Sequence, residues 1–264
     1  MLSLLSQHQN QLPVGEVWLV GAGPGDPELI SVRGLRLIRQ ADVVVHDRLV
    51  AAELIDERRK DALCIDVGKR PGHHPVPQQE IEHMLISHAR AGKSVVRLKG
   101  GDPFIFGRGG EEMLALRAAG IRTHVVPGIT AASACAASAG FPLTQRHTAN
   151  NVCLTTAHHC DERDTSNWSS LAGDSSRTLV FYMGLSALGR IRNNLVQHGM
   201  NADTPCALIE NGSKRQQRTV YCSLRQIADL AAQHKLQTPC LLVVGNVVSL
   251  AEEYQNQNRA VSAA

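Results

Sequence analysis

Apolar positions along this chain alternate between two periods. Short runs predict strands at 16–20, 42–46, 62–67, 94–98 and 121–126, and again at 151–156, 178–182, 205–209, 219–221 and 240–244, the run at 94–98 having the β-branched density of a buried strand. Between them the apolar residues take helical spacing, as over 77–90, where Ile81, Met84, Leu85 and His88 fall on one stripe. Ser31 is placed to cap a helix ending at Gln40, and further helices are expected over 49–57, 111–119, the small-residue run 131–139, a short stretch around Trp168, 186–198 and 224–234. Strands alternating with helices imply an α/β fold with two α/β domains, each a mostly parallel sheet flanked by helices. The alternation breaks at 141–147, which reads as a linker. The expected organisation is a flexible arm (1–14), an N-terminal domain (15–140), the linker (141–147), a C-terminal domain (148–250) and a polar tail (251–264).

The carboxyl ends of the predicted strands carry the candidate chemistry, because α/β sheets bind ligands there. The richest stretch is LKGGDPFIFGRGGEE, 98–112, whose glycines allow backbone to approach a bound molecule and whose Asp102 and Arg108 offer opposite charges. The first strand runs into GAGPGDP, 21–27, half of a dinucleotide fingerprint with Asp26 where the last glycine belongs. An acid at that point disfavours pyrophosphate, and Pro24 lacks the backbone donor a phosphate cradle uses. A cationic or zwitterionic ligand fits better than NAD or FAD. Asp47-Arg48 follows the second strand, where position leaves two roles open for Asp47, a cap for the helix over 49–57 or a site residue. The third strand opens onto GKRPGHHP, 68–75, another basic glycine-rich loop. Met183-Gly184 and Glu210-Asn211-Gly212 end strands in the second half; by position alone Met183 reads more simply as a core methionine.

Composition narrows this further. A net charge of +3 over 264 residues is too weak for nucleic-acid binding. The positive residues nevertheless gather near the glycine-rich loops, at Lys69, Arg70, Arg97, Lys99 and Arg108, which suits an acidic small molecule. Seven cysteines without a Cys-x-x-Cys argue against a disulfide framework and for a reducing, cytoplasmic compartment. The N-terminus lacks the basic flank of a signal peptide, and no apolar run reaches the roughly 20 residues of a membrane span. His73-His74 and His158-His159-Cys160 lack a second ligand pair at a metal-binding spacing, so no metal is expected.

GAGPGDPELISVRGL, VVVHDRLV, VGKRPGHHPVPQ, VVRLKGGDPFIFGRGGEE, VVPGITAASA, GFPLT, TLVFYMG and the ENG before QRTV stand in this order. Together they resemble the uroporphyrinogen-III C-methyltransferases of the tetrapyrrole methylase family, over about 15–250. The resemblance implies two α/β domains with the active site in the cleft between them, a homodimer, and S-adenosyl-L-methionine held differently from Rossmann-type methyltransferases. Matched motif by motif, it implies that Pro24, Gly100, Gly101, Asp102, Ile105, Thr130, Ala131, Met183 and Gly212 line the methyl-donor site. It also implies Asp47 as proton acceptor, Lys69 as proton donor, and Arg108 and Glu111 beside the tetrapyrrole. The implied reaction is methylation of uroporphyrinogen III at C2 and C7, through precorrin-1 to precorrin-2, with S-adenosyl-L-homocysteine released. Arg48, Arg70, Arg97, Lys99 and Arg146, with Arg108, are the candidates to meet the macrocycle's carboxylates. With no domain for dehydrogenation and iron insertion of the kind that fused sirohaem synthases carry, the expected end product is precorrin-2, the branch point for sirohaem, cobalamin and haem d1. The chain departs from the family pattern at Ala157, where Gly is usual, and at His74-Pro75. Rival readings are a methylase of a later corrinoid, a methylase of a macromolecule, and a tetrapyrrole carrier without catalysis.

Overall fold

The computed structural model describes residues 12–68, 76–156, 165–252 and 256. Lys69, Arg70, His73, His74 and the segment from Ala157 to Cys160 lie outside the described residues. The chain divides after Thr130 into two compact units.

The first unit is built on β1 (Glu16–Gly21), β2 (Val43–His46), β3 (Leu63–Asp66), β4 (Val95–Lys99) and β5 (Arg122–Val126), all parallel in the order β3-β2-β4-β1-β5. Helices α1 (Val32–Gln40), α2 (Ala52–Asp56), α3 (Gln78–Arg90) and α4 (Gly109–Ala118) connect them. Ser31 caps α1 as its sequence position predicts, its Oγ accepting from the Gly34 amide at 3.0 Å. Strand residues alternate between two apolar layers. Trp18, Val20, Val44, Val96 and Leu98 pack with Leu37 and Ile38 of α1, while Val17, Leu19, Val43, Val45 and Val95 pack with Ile81 and Leu85 of α3 and Leu116 of α4. The helix after β1 therefore lies on one face of the sheet and the helix after β4 on the other. The loops leaving the neighbouring strands β1 and β4 start side by side at the carboxyl edge of the sheet, where open α/β sheets bind ligands.

The second unit holds α5 (Ala131–Ser138), β6 (Asn151–Thr156), α6 (Thr165–Ala172), β7 (Arg177–Tyr182), α7 (Leu188–Gln197), β8 (Pro205–Glu210), β9 (Arg218–Ser223), α8 (Ile227–Gln233) and β10 (Cys240–Val244). Its strand order is β6-β7-β10-β8-β9. Here the expectation of a mostly parallel sheet is corrected: β6 and β7 are parallel, but β10 runs antiparallel to both β7 and β8, and β8 antiparallel to β9. The cause is the short turn over 211–217. A parallel pairing needs a crossover of roughly a dozen residues or more, so this turn forces a hairpin, and the hairpin reverses every strand after it.

The boundary also falls earlier than the sequence suggests. Ala132, Cys135, Ala136 and Ala139 pack with Val180, Ala207 and Val243 of the second sheet, so α5 belongs to the second unit. Phe141, expected in a linker, is only 3% exposed and packs in that same cluster.

Candidate active site

At the carboxyl edge of the first sheet the loops after β1, β4 and β5 converge on one another. Gly101 donates its amide to the Gly23 carbonyl at 2.7 Å and receives the Gly23 amide at 3.2 Å, while the Ala22 amide reaches the Lys99 carbonyl at 2.7 Å. The Asp102 carboxylate ties two of the loops together. One oxygen accepts from the Phe104 amide at 2.8 Å, the other from the Gly128 amide at 3.0 Å. The contacts are backbone on backbone, which explains the glycines. A Cβ on Gly128 would stand 2.2 Å from the Gly101 carbonyl oxygen, and one on Gly21 would stand 2.5 Å from the Gly128 Cα. Gly128→Ala is therefore expected to force these loops apart and lower stability by ~1–3 kcal/mol, as read by thermal unfolding. Gly101 differs: its φ of +69° needs glycine, but a Cβ there would meet nothing within 4 Å. The convergence thus leaves open space beside Gly101.

Pro24, Gly100, Gly101, Asp102, Ile105 and Thr130 all lie on these three loops, so the structure brings the first-unit donor candidates together. The observed role of the Asp102 side chain is to bind two amides and brace the loops. Asp26 caps the one-turn 3-10 helix Pro27–Leu29, accepting from the Glu28 amide at 2.9 Å. An acid occupying that amide fits a zwitterionic ligand better than a pyrophosphate.

Asp47, at the carboxyl end of β2, does not cap the next helix. That helix begins at Ala52 without a side-chain cap, and the Asp47 carboxylate instead receives Arg97 Nη2 at 2.5 Å. Arg97 and Lys99 correct the expectation that they meet substrate carboxylates. Each is 2% exposed, and both donate to Oε1 of Glu112, at 3.2 Å and 2.9 Å. They stand two apart in a strand buried on both faces, so each needs an internal anion. Burial, with Arg97 nearby, pushes the Lys99 ammonium pKa down, although the Glu112 carboxylate opposes the shift.

Arg108 and Glu111 find each other. Arg108 Nη2 and Nε donate to the two oxygens of Glu111 at 2.7 Å and 3.0 Å, with both side chains 55% exposed. The hydrogen-bonded Arg108 guanidinium holds the Glu111 carboxyl below its ordinary range. Arg108 sits in the left-handed region, φ +58°, at the cap of α4. Arg48 is exposed beside Gly68, where a Cβ would meet its backbone nitrogen at 2.7 Å. Arg146 is exposed in the second unit.

In the second unit, Met183 is half exposed with φ +53°, so it is not the core methionine its position suggests. It follows Tyr182, whose hydroxyl accepts the Ala132 amide at 3.0 Å and so ties the first turn of α5 to the end of β7. A Cβ on Gly212 would lie 2.1 Å from Cys135 Sγ of the same helix. Gln217 Oε1 accepts from the Ser213 amide at 2.7 Å and from Ser138 Oγ at 2.6 Å, fastening the 211–217 turn to α5. Ala131, Met183 and Gly212 are thereby gathered around one helix. The sequence pattern hid Glu112, Tyr182 and Gln217. Glu112 is one of two acids in the first turn of α4, and its distinguishing signal is the pair of cations at Arg97 and Lys99.

Among the described residues no group of three or more His, Cys, Asp or Glu could hold a metal ion, and no helix is long and apolar enough to cross a membrane.

Residues 16–228 match the model of a family described as Tetrapyrrole (Corrin/Porphyrin) Methylases. A siroheme synthase of Edwardsiella ictaluri (strain 93-146) is 56% identical over 236 residues, 89% of this chain and 50% of that protein. The chain thus spans about half the length of the curated relatives it matches. A crystal structure of uroporphyrin-III C-methyl transferase from Thermus thermophilus, complexed with S-adenyl homocysteine, superposes with a TM-score of 0.72 at 34% identity, covering 88% of this chain and 93% of that one. A cobalt precorrin-4 methyltransferase, CbiF, superposes with a TM-score of 0.79 at 27% identity, covering 90% of this chain and 99% of its own.

Proposed function

This chain belongs to the tetrapyrrole (corrin/porphyrin) methylase family, and from that premise we propose that it methylates uroporphyrinogen III at C2 and C7, giving precorrin-2 through precorrin-1. The observation that carries the reading is Asp47, a partly exposed carboxylate held by a buried arginine at the same sheet edge as the glycine-rich loops. Bound S-adenosyl-L-methionine supplies an electrophilic methyl group on a sulfonium. Pro24, Gly100, Gly101, Asp102, Ile105 and Thr130, with Ala131, Met183 and Gly212 of the second unit, hold the donor. Their task is alignment, since carbon, methyl and sulfur must lie in line. Asp47 accepts the proton the macrocycle must lose once its pyrrole carbon is alkylated. Arg108, Arg48 and Arg146, being exposed, pair with substrate carboxylates. Lys69 as proton donor and Arg70 as a substrate ligand rest on their motif alone. The enzyme works as a homodimer in the cytoplasm, without a metal, and its product feeds sirohaem, cobalamin or haem d1 synthesis.

An anaerobic assay with uroporphyrinogen III and methyl-labelled S-adenosylmethionine tests this. Two labels per macrocycle support it. A chain that binds the donor yet labels nothing has the acceptor wrong, and later corrinoids then become the substrates to try, as the likeness to a precorrin-4 methyltransferase suggests. Arg108→Ala is expected to raise KM for uroporphyrinogen about 10- to 100-fold, the weight of a charge-assisted pair, and to leave the donor Kd unchanged. An unchanged KM would remove Arg108 from the substrate site.

A further inference from the structure

Four charged groups of the first unit form one connected set, and the reaction proposed above uses it only at its outer end. Glu112 of α4 is 0% exposed, and Arg97 and Lys99 of β4 are 2% exposed. Asp47 alone reaches solvent, its side chain 32% exposed. Two cations face two carboxylates, so the set is neutral. Glu112 Oε1 takes three donors: Arg97 Nε at 3.2 Å, Lys99 Nζ at 2.9 Å and Gln78 Nε2 at 3.2 Å. Glu112 Oε2 accepts no hydrogen bond among the described residues. The three guanidinium nitrogens of Arg97 are all engaged, Nε by Glu112, Nη1 with the Leu98 carbonyl at 3.3 Å, and Nη2 by Asp47 at 2.5 Å. A guanidinium is planar and rigid, so pinning Nε and Nη1 fixes where Nη2 points. The direction of the Asp47 carboxylate is thereby set from inside the domain.

Fold stability does not call for this set. A buried ion network is commonly no more stabilising than apolar side chains of similar volume. We propose that Glu112 is a positioning residue: through Arg97 it orients the Asp47 carboxylate and, with Lys99 as counterweight, balances the charge around it. The inference rests on Asp47 acting as the proton acceptor. The charged and titratable groups around Asp47 are few among the described residues. His46 and Arg48 flank it on its own segment, and the His46 ring Nδ1 lies 3.3 Å from the Asp47 carbonyl oxygen. Arg97 and Lys99 face it from β4, and Glu112 lies behind them on α4, with Glu111 one residue away. On β3, Asp66 stands opposite His46 and accepts from the Gly68 amide at 2.8 Å.

The test uses Glu112→Gln, which keeps an acceptor oxygen and removes only the charge. Two cations then face one carboxylate, so Asp47 becomes the weaker base. The expected result is a fall in kcat of about tenfold, with the acid limb of its pH profile displaced about one unit to lower pH and the donor Kd unchanged. Lys99→Met tips the balance the other way and displaces the limb to higher pH. The double variant Lys99→Met/Glu112→Gln restores neutrality and returns the limb toward the wild-type position. An acid limb unmoved in both single variants, or an activity loss that only follows loss of folded protein, overturns the proposal. A readout free of activity separates this from the proposed reaction. The carboxyl-carbon NMR signal of Asp47, assigned against Asp47→Asn, should titrate at lower pH in Glu112→Gln and at higher pH in Lys99→Met than in wild type. If the wild-type chain moves no methyl to uroporphyrinogen III, the reaction is wrong, and these NMR displacements alone decide on Glu112. Displacements in the expected directions support its role, and their absence overturns it.

Discussion

Glu112→Ala is expected to destabilise the first unit by roughly 3–5 kcal/mol, the cost of breaking a buried ion pair from one side. Among the described residues, alanine removes the only carboxylate that Lys99 touches and one of the two that Arg97 touches, and both cations stay inside a sheet covered on both faces. Water cannot reach them without opening the helix layer, so the loss is not recovered by solvation. The pH dependence has a defined sign. The Lys99 pKa is already pushed below its ordinary 10.5 by burial. Between its folded pKa and 10.5 the unfolded chain holds more protons than the folded one, so Lys99 makes stability rise with pH across that window. Without Glu112 the folded pKa falls further and the window widens. With Glu112 ionised in the parent, the Lys99 part of the defect is therefore full while Lys99 stays charged in both folded forms, and it shrinks as pH rises toward 10.5. Urea unfolding at several pH values measures it. Adding Lys99→Met should cost less than the sum of the two single changes, because one stranded charge leaves with the other's partner. Additive losses would mean that Lys99 and Glu112 do not depend on each other.

The same set of residues marks how far the sequence could be read. The parallel sheet of the first unit was legible because each strand is a short local run and each connection contains a helix, even where that helix is only the five residues Ala52–Asp56. The three converging loops were legible too, since glycine is the residue that lets Gly21, Gly101 and Gly128 bring backbone against backbone. The direction of β10 was not legible from its own residues. It is set by the hairpin of β8 and β9, whose consequence passes through α8 to a strand that looks the same in either direction. Nor did α5 declare its partner, because a helix of alanine and serine shows no apolar stripe to assign to one sheet or the other. Arg97 and Lys99 were misplaced for a different reason. Positive charge near a glycine-rich loop suggests an anionic ligand, but residues two apart in a strand share a face. When both faces of that strand are covered, the two cations require an internal acid. That acid could not be named until the register of α4 against β4 was known. Met183 carries a left-handed backbone conformation that its residue type does not announce, and its half-exposed side chain appears only in the folded chain.

Asp47→Asn is the sharpest test of the chemistry, with methyl transfer expected to fall about 10²- to 10⁴-fold, the usual weight of a general base. The substitution is nearly isosteric. Its amide oxygen still accepts from Arg97 Nη2, so the guanidinium keeps a partner and the fold loses little. What disappears is the ability to take a proton. Alkylation of a pyrrole carbon leaves the macrocycle cationic, and the reaction completes only when a proton departs. A residue that merely holds the loops would behave otherwise. Gly128→Ala, which disturbs the loop convergence without touching Asp47, should raise the donor Kd. Asp47→Asn should leave donor binding near the wild-type value and lower kcat. The two variants thus separate holding the donor from completing the reaction. If Asp47→Asn turned over at the wild-type rate, the proton would leave by another route. The short contact with Arg97 would then be structural, and the neutral set behind it would have no catalytic end.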